Sequence, residues 1–459
     1  MQIEGLDYLE TFAATSIPPS WRVILALAAW NDWEVEQIDF IGAFLNSTLK
    51  ETIYMEIPEG FTEFYEDRPK LAALLAKHGY KASKNQVILL RKSLYGLKQG
   101  PREWQDALKD LLKKKGYTPL VSDPAIFYNK ERDTYIITYV DDCLIIGADL
   151  GYIQRLKKEL HKTYPIEDRG PAAFFLGVQI IRDRENRTLT LHQSQYIEEA
   201  LKRFNLEDSK PATIPIQPGT INQQPTKALR PKDHKLYQQI IGTLMYLMLL
   251  TRADIAFSIQ WLSTALAQPY IEHLNASKNL LRYLKGTKTA SIIYKGKKEG
   301  KIGNSLIGFS DSDFAGDKKG SKSTWAYLFK LAGAPISWKS KRASTIALST
   351  LEAESDALCE ALRELQWILG LFKEGKIPSK LPIQLYCDNQ GAITTAYDPA
   401  LHSRTKHTLL KFNYIRQQIL EGGQAKVTYI DTNRMPADGL TKALSVPKHQ
   451  AFLRLIGIY

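Results

Sequence analysis

Two adjacent carboxylates, Asp141 and Asp142, stand between the apolar runs Tyr135 to Val140 and Cys143 to Gly147. β-Branched and aromatic runs on either side of a short polar pair read as a β-hairpin, which sets the carboxylates at its tip on stiff strands. Like charges held side by side repel, and a pair of Mg²⁺ ions is the usual remedy where phosphoryl groups are transferred. Taken alone, Tyr139-Val140-Asp141-Asp142 fits a solvated turn equally well. Four further acids fall at element ends: Asp311 and Asp388 each close a strand, Glu354 lies in the first turn of a long helix, and Asp438 sits near the start of a short one. Four carboxylates on four elements meet only through the fold, and such a meeting suits two-metal hydrolysis. Individually each is an ordinary surface acid.

The elements that must position these acids can be read along the chain. Residues 1–206 mix helix and strand, with a helical stretch from Trp21 to Asp32 and the hairpin around Asp141. Residues 207–232 carry Pro211, Pro215, Pro218, Pro225 and Pro231, and proline repeatedly removes backbone donors, so this segment reads as a linker. In residues 233–290 apolar side chains recur at three- and four-residue spacing over Tyr237 to Leu250, Ile255 to Leu266 and His273 to Leu284, which predicts a small helical unit. Its last helix carries Lys278, Arg282, Lys285 and Lys288, either a solvated face or one that tracks phosphates. Residues 303–459 alternate strand-like runs with the amphipathic stretch Leu351 to Phe372 and read as a compact α/β unit.

A chain of 459 residues exceeds one compact core and predicts two to four domains. The net charge of +12 suggests an anionic partner such as nucleic acid. Cys143, Cys359 and Cys387 form no paired motif and read as small apolar residues in a reducing compartment. No signal peptide or membrane-spanning run is evident, so a soluble intracellular protein is the expectation.

The order of longer motifs resembles the reverse transcriptase and ribonuclease H region of the polyprotein of copia-type LTR retrotransposons. The matching segments include Asp7-Tyr8-Leu9-Glu10-Thr11-Phe12-Ala13, Gln37-Ile38-Asp39-Phe40 with Ala43-Phe44-Leu45-Asn46, and Lys92-Ser93-Leu94-Tyr95-Gly96-Leu97-Lys98-Gln99-Gly100-Pro101-Arg102 with Trp104. Tyr139 to Asp142, Phe175-Leu176-Gly177, Ile241-Gly242-Thr243-Leu244-Met245-Tyr246-Leu247 and Leu281-Arg282-Tyr283-Leu284-Lys285-Gly286-Thr287 continue it. The resemblance covers nearly the whole chain.

It implies an α+β fold: a right-hand polymerase of fingers and palm (residues 1–206), Pro-rich linker (207–232) and helical thumb (233–290), then a ribonuclease H-like α/β domain (303–459). It implies that Asp39, Asp141 and Asp142 hold two Mg²⁺ ions, or Mn²⁺, for RNA-directed DNA synthesis. Phe44 then matches the steric gate that favours dNTPs, Gln99 and Gly100 line the nucleotide pocket, and Leu176-Gly177 grips the primer end. Asp311, Glu354, Asp388 and Asp438 become the metal-holding, catalytic acids of hybrid cleavage, with Asp313 as the competing choice in the first strand. Glu352 lies about 200° around the helix from Glu354 and is expected to face elsewhere. The implied partners are an RNA template, a DNA primer, RNA-DNA hybrid and dNTPs, with no membrane, in the cytoplasm within virus-like particles or in the nucleus. His402-Ser403-Arg404-Thr405-Lys406-His407 also matches, as nucleic-acid positioning or as a solvated basic loop. The family's Lys- and Arg-bearing finger strands are expected upstream of Met1, which makes the fingers look partial. A nucleic-acid-binding remnant that polymerises little is therefore the alternative to an active polymerase with ribonuclease H.

Overall fold

The computed structural model describes residues 2–5, 7–60, 64, 68–77, 87–224, 226–296, 306–317, 320–398 and 406–459. The boundary drawn at residue 303 and most of the His402 motif lie outside these. Strand β1 (Glu34–Phe40) precedes a separate antiparallel pair, β2 (Thr48–Glu56) and β3 (Val87–Lys92). Strands β4 (Thr118–Pro119), β5 (Ile126–Asn129), β6 (Thr134–Tyr139), β7 (Asp142–Gly147) and β8 (Ile166–Pro171) join β1 in one sheet, ordered β4-β5-β6-β7-β1-β8. A second sheet, ordered β12-β11-β10-β9, comprises β9 (Phe174–Phe175), β10 (Val178–Asp183), β11 (Thr188–His192) and β12 (Ile292–Lys295). The third, ordered β15-β14-β13-β16-β17, comprises β13 (Ile307–Asp317), β14 (Lys322–Leu331), β15 (Ala334–Arg342), β16 (Ile383–Cys387) and β17 (Ala425–Tyr429).

The principal helices are α1 (Pro18–Asn31), α2 (Gly100–Lys114), α3 (Leu150–His161), α4 (Pro231–Leu250), α5 (Ala256–Ser263), α6 (Ile271–Gly286), α7 (Thr350–Glu374) and α8 (Val446–Ile456). No described helix is long and apolar enough to cross a membrane. Strand alternation sorts the first sheet's two faces. Ile38, Phe40, Cys143 and Ile145 pack against Trp104 and Leu108 of α2 and Ile153 and Leu156 of α3. Gln37, Asp39 and Asp142 therefore belong to the opposite face, the one that meets α1.

Helix α1 begins with Pro18-Pro19, where missing backbone donors cost nothing, and stops at Asp32, whose left-handed φ of 56° ends the helix. Every residue from Ser20 to Ala29 is buried, because α1 touches β1 and β7 on one side, β11 and β12 on another, and β15 on a third. Within this apolar helix stands Arg22, 2% exposed. Its Nε donates to the Ile336 carbonyl of β15 at 2.8 Å, and Nη1 donates to the carbonyls of Leu249 (2.7 Å) and Leu250 (2.8 Å) at the end of α4. The guanidinium also lies 3.9 Å from the centre of the Trp338 ring, whose Nε1 donates to the Met248 carbonyl. Burial pulls the Arg22 pKa down to about 10, so the group remains cationic at neutral pH.

The proline-rich segment is packed rather than loose. Ile214 and Ile216 are buried, Asn279 Nδ2 donates to the carbonyls of Ile214 and Pro215, and Pro231 already opens α4. Arg282 Nε donates to the Lys210 carbonyl at 2.6 Å, Lys285 Nζ to that of Ser209 at 2.8 Å, and Lys288 pairs with Glu198 at 2.7 Å. The cationic set considered for phosphate tracking is thus largely engaged within the protein, since the neighbouring segment offers carbonyls beside α6. The C-terminal sheet is fastened at several places. Glu374 at the end of α7 accepts from the backbone of Val121 and Ser122, and a buried Arg252–Asp254 pair (2.7 Å) meets Tyr283, whose hydroxyl lies 2.8 Å from His449 of α8. Ser291 and Tyr459 exchange backbone hydrogen bonds in both directions, and Ile292 faces Ile458 across an antiparallel bridge.

Replacing Arg22 by Met keeps the bulk and takes this donor from the Ile336, Leu249 and Leu250 carbonyls, so the unfolding free energy is expected to fall by about 3 kcal/mol. Urea denaturation followed by tryptophan fluorescence checks this. An unchanged midpoint would show that the guanidinium does not tie the layers together.

Candidate active sites

The first acid cluster is set by strand register. β1 and β7 are antiparallel with Asp39 directly opposite Asp142, and Tyr139 of β6 opposes Asp142 across the hairpin. Val140 and Asp141 form the turn, with Val140 in the left-handed region at φ 57°, unusual for a β-branched residue. Two bonds hold this strained turn: Trp104 Nε1 donates to the Val140 carbonyl at 2.7 Å, and the Phe40 amide donates to the Asp141 carbonyl at 2.9 Å. The three acids expected to act together are therefore brought to one end of the sheet. Cys143, though next to Asp142 in sequence, points into the core on the far face.

The electrostatics of this cluster show what a divalent cation would relieve. Burial raises the Asp142 pKa and the nearby Asp39 and Asp141 charges add to it, against a Gln37 Nε2 hydrogen bond to its Oδ1 at 2.8 Å. The Asp39 pKa is also raised, by burial and by Asp141 and Glu167, while Arg169 opposes the rise. Arg169 of β8 is a participant that the motifs did not reveal: its Nη2 lies 2.9 Å from Asp39 Oδ2 and 3.6 Å from Glu167 Oε2. The donor set suits a hard, oxygen-preferring dication, with a guanidinium beside one of its ligands.

Phe44 sits in the short helix Ala43–Asn46, its ring 4.8 Å from that of Tyr95. Gly100 lies against it: a Cβ there would stand 3.9 Å from Phe44 Cγ and 3.5 Å from the Leu94 carbonyl. Gln99 is 1% exposed, accepts from Gln2 Nε2 and donates to the Asp7 carbonyl, so its amide is held by the N-terminal segment rather than presented to an open pocket. Leu176 and Gly177 both have positive φ, and Tyr246 of α4 donates its hydroxyl to the Leu176 carbonyl at 2.7 Å.

The second cluster lies over the central strands of the C-terminal sheet, where Asp388 follows β16 but Asp311 falls within β13 instead of closing it. β13 and β16 run parallel with Phe309 beside Tyr386, so Asp311 and Asp388, each two residues farther on, emerge together. Glu354 is carried in by α7, which Ser349 caps by accepting from the Glu352 amide. The Glu352 carboxylate accepts from the Leu348 amide at 2.8 Å and so belongs to the helix cap. Asp438 stands in a 3₁₀ turn, Pro436–Leu440, with Lys442 Nζ at 2.5 Å. Thr441 Oγ1 donates to Asp311 Oδ2 and Thr432 Oγ1 to Asp388 Oδ2, each at 2.7 Å; the motifs assign neither hydroxyl a role.

Burial pushes Asp311 up to about 7, with Asp388 and Asp438 adding to the rise and Thr441 and Lys442 opposing it. Burial pushes Glu354 up to about 9, reinforced by Asp311 and Asp388. Mutual repulsion among buried carboxylates is the condition that divalent cations relieve. Asp313 is raised by burial and tempered by Lys442, and it lines a cavity of about 410 Å³ bounded also by Trp261, Arg342 and Lys442. His402 to Thr405 lie outside the described residues.

Comparison with known proteins bears on both clusters. Residues 1–218 match the family model described as reverse transcriptase (RNA-dependent DNA polymerase). All of the chain aligns with the retrovirus-related Pol polyprotein from transposon TNT 1-94 of Nicotiana tabacum, at 37% identity and covering 33% of that protein. It aligns likewise with the Pol polyprotein from transposon RE1 of Arabidopsis thaliana, at 36% identity and covering 30% of it. A putative transposon Ty5-1 protein of Saccharomyces cerevisiae is 30% identical over 72% of this chain and 100% of its own length. The chain spans about a third of the length of the two plant polyproteins.

Asp311 and Glu354 keep protons in the folded chain at pH values where unfolded carboxyls, near about 4, have released them. Their contribution to stability is therefore fully present at acid pH and is lost as pH climbs from about 4 through about 7 and about 9. Without divalent ions the melting temperature is expected to fall across that window, and Glu354→Gln to flatten the fall. A Glu354→Gln profile parallel to that of the unaltered chain would refute the assignment. Arg169→Leu removes a cation that competes for Asp39, so in the Glu354→Gln background the Mg²⁺ concentration giving half-maximal thermal stabilisation is expected to drop several-fold. An unchanged concentration counts against that competition.

Proposed function

The chain belongs to the copia-type retrotransposon Pol family, and from that premise we propose that it is an RNA-directed DNA polymerase with a second, ribonuclease H site. The observation that carries this reading is Asp39 facing Asp142 across β1 and β7, with Asp141 in the adjoining turn. On this reading the six-stranded sheet is the palm, β2 and β3 belong to the fingers, α4 to α6 form the thumb, and β13 to β17 with α7 form the ribonuclease H-like domain. Asp39, Asp141 and Asp142 would hold one pair of Mg²⁺ ions, and Asp311, Glu354, Asp388 and Asp438 another; Mn²⁺ suits the same oxygens. When bound, the ions supply Lewis acidity and neutralise charge at the phosphate being attacked.

The protein's own part is positioning. The Val140 turn, held by Trp104, sets Asp141 beside Asp142 at the end of the sheet. Phe44, backed by Tyr95 and Gly100, offers an aromatic edge that would exclude a ribose 2′-hydroxyl and so favour dNTPs over rNTPs. Leu176-Gly177, braced by Tyr246, would hold the primer end, where glycine permits close backbone approach. At the second site Thr441 and Thr432 orient Asp311 and Asp388, and strand choice in an RNA-DNA hybrid would rest on ribose 2′-hydroxyls. The Arg169 to Asp39 ion pair favours a second reading, a chain that binds template and primer without extending them.

Primer extension on an RNA template with Mg²⁺ separates the two. Extension is expected, and Asp141→Asn should reduce it at least about 100-fold while sparing hybrid cleavage. Glu354→Gln should do the reverse. Hybrid cleavage without any extension supports the second reading, and loss of both activities in Glu354→Gln would contradict two independent sites.

A further inference from the structure

One of the three thiols faces an acid cluster. Cys387, the last residue of β16, is 0% exposed, and its sulfur lies 3.9 Å from Glu354 Oε2. It also accepts from the Asn389 amide at 3.5 Å. One ligand atom each from Glu354, Cys387 and Asp388 lies within 4.8 Å of the others, the one such grouping among the described residues. Cys143 points into the core beneath the first sheet, and Cys359 packs in the main core, 6% exposed.

A sulfur donor is out of place in a site meant only for Mg²⁺. Mg²⁺ takes oxygen ligands and keeps several waters, whereas a thiolate selects borderline-soft ions such as Zn²⁺. Zinc bound through one sulfur at about 2.3 Å and one oxygen at about 2.0 Å in tetrahedral geometry requires a sulfur-to-oxygen separation of about 3.5 Å. The observed 3.9 Å closes to that with a shift of a few tenths of an ångström. Two carboxylates and one sulfur leave a fourth position for water.

We propose that Glu354, Cys387 and Asp388 form a binding site for a thiophilic divalent cation of the Zn²⁺ class, overlapping the Mg²⁺ ligands of the second acid cluster. The inference rests on the reading of Glu354 and Asp388 as metal ligands. Binding joins the metal to the Cys387 sulfur and releases the thiol proton to buffer, with no change of oxidation state. A bound Zn²⁺ would take two of the four carboxylates from Mg²⁺ and so inhibit hydrolysis.

Cadmium serves as the probe, because its bond to a thiolate gives an ultraviolet charge-transfer band that carboxylates do not. Titrating Cd²⁺ into the full chain without Mg²⁺ is expected to produce this band with saturation at one equivalent. The band should vanish in Cys387→Ser, persist in Cys143→Ser and Cys359→Ser, and require at least about 10-fold more Cd²⁺ in Glu354→Gln. Zn²⁺ should displace the cadmium and abolish the band. Absence of the band in the unaltered chain, or its survival in Cys387→Ser, overturns the site. Glu354→Gln keeps the test decisive if the serine variant does not fold, since undiminished affinity there also overturns it. Hybrid cleavage reports on the underlying reading separately: a cadmium band in a chain that never cleaves hybrid leaves the thiol site standing and the ribonuclease reading without support. Normal Mg²⁺-dependent cleavage with no band does the opposite.

Discussion

A single buried guanidinium organises the molecule. Arg22 lies in a helix that is otherwise apolar on every side, and it reaches carbonyls at the end of α4 and in β15. Removing a cation from water is costly unless the site returns its hydrogen bonds, so the guanidinium is tolerable only when all three partners are in place. The last carbonyls of α4 also carry the negative end of that helix dipole, which favours the charge. Layers contributed by distant parts of the chain are thereby required to assemble together. The main hydrophobic core reflects this: it runs without a break from α1 through the first sheet to β13, β14 and β15.

The two acid clusters hang from this common core yet differ in character. The first is at a sheet end, half open, with a guanidinium in place beside Asp39. The second is enclosed, with Asp311 4% and Glu354 3% exposed, and its nearest cation, Lys442, is paired with Asp438 instead of the two buried acids. Repulsion in the first is softened by solvent and Arg169. In the second, burial first and the neighbouring acids after it push both carboxyls upward.

Much of this was legible in the sequence, and the exceptions have physical causes. β-Branched and aromatic runs around Asp141, three- to four-residue spacing in α4 and α6 and the amphipathic pattern of α7 are local signals, and the elements lie where those signals fall. The acids are legible because each stands in a motif of recognisable order, although Asp311 falls within β13 and does not close it. Arg22 was not visible as a strut, because its partners lie 227, 228 and 314 residues away. Arg169 carries no local signal, because nothing in its own sequence neighbourhood indicates that β8 pairs with β1. The proline-rich stretch reads as a linker from its missing donors, but its carbonyls are intact and Asn279, Arg282 and Lys285 use them. Cys387 reads as a small apolar residue, which its burial supports, while its neighbour Glu354 becomes apparent only once α7 is laid on the sheet.

The reciprocal bonds between Ser291 and Tyr459 bring a distant segment back beside β12 of the second sheet. The segment between them leaves the second sheet at β12 and returns to the same seam through Ile292 and Ile458. This clasp is one of several ties, since β15 also meets α1 through the Arg22 bond to the Ile336 carbonyl and Glu374 accepts from the Val121 and Ser122 amides. Tied in this way, Ile458 and Tyr459 are held in register where an untethered segment would fray.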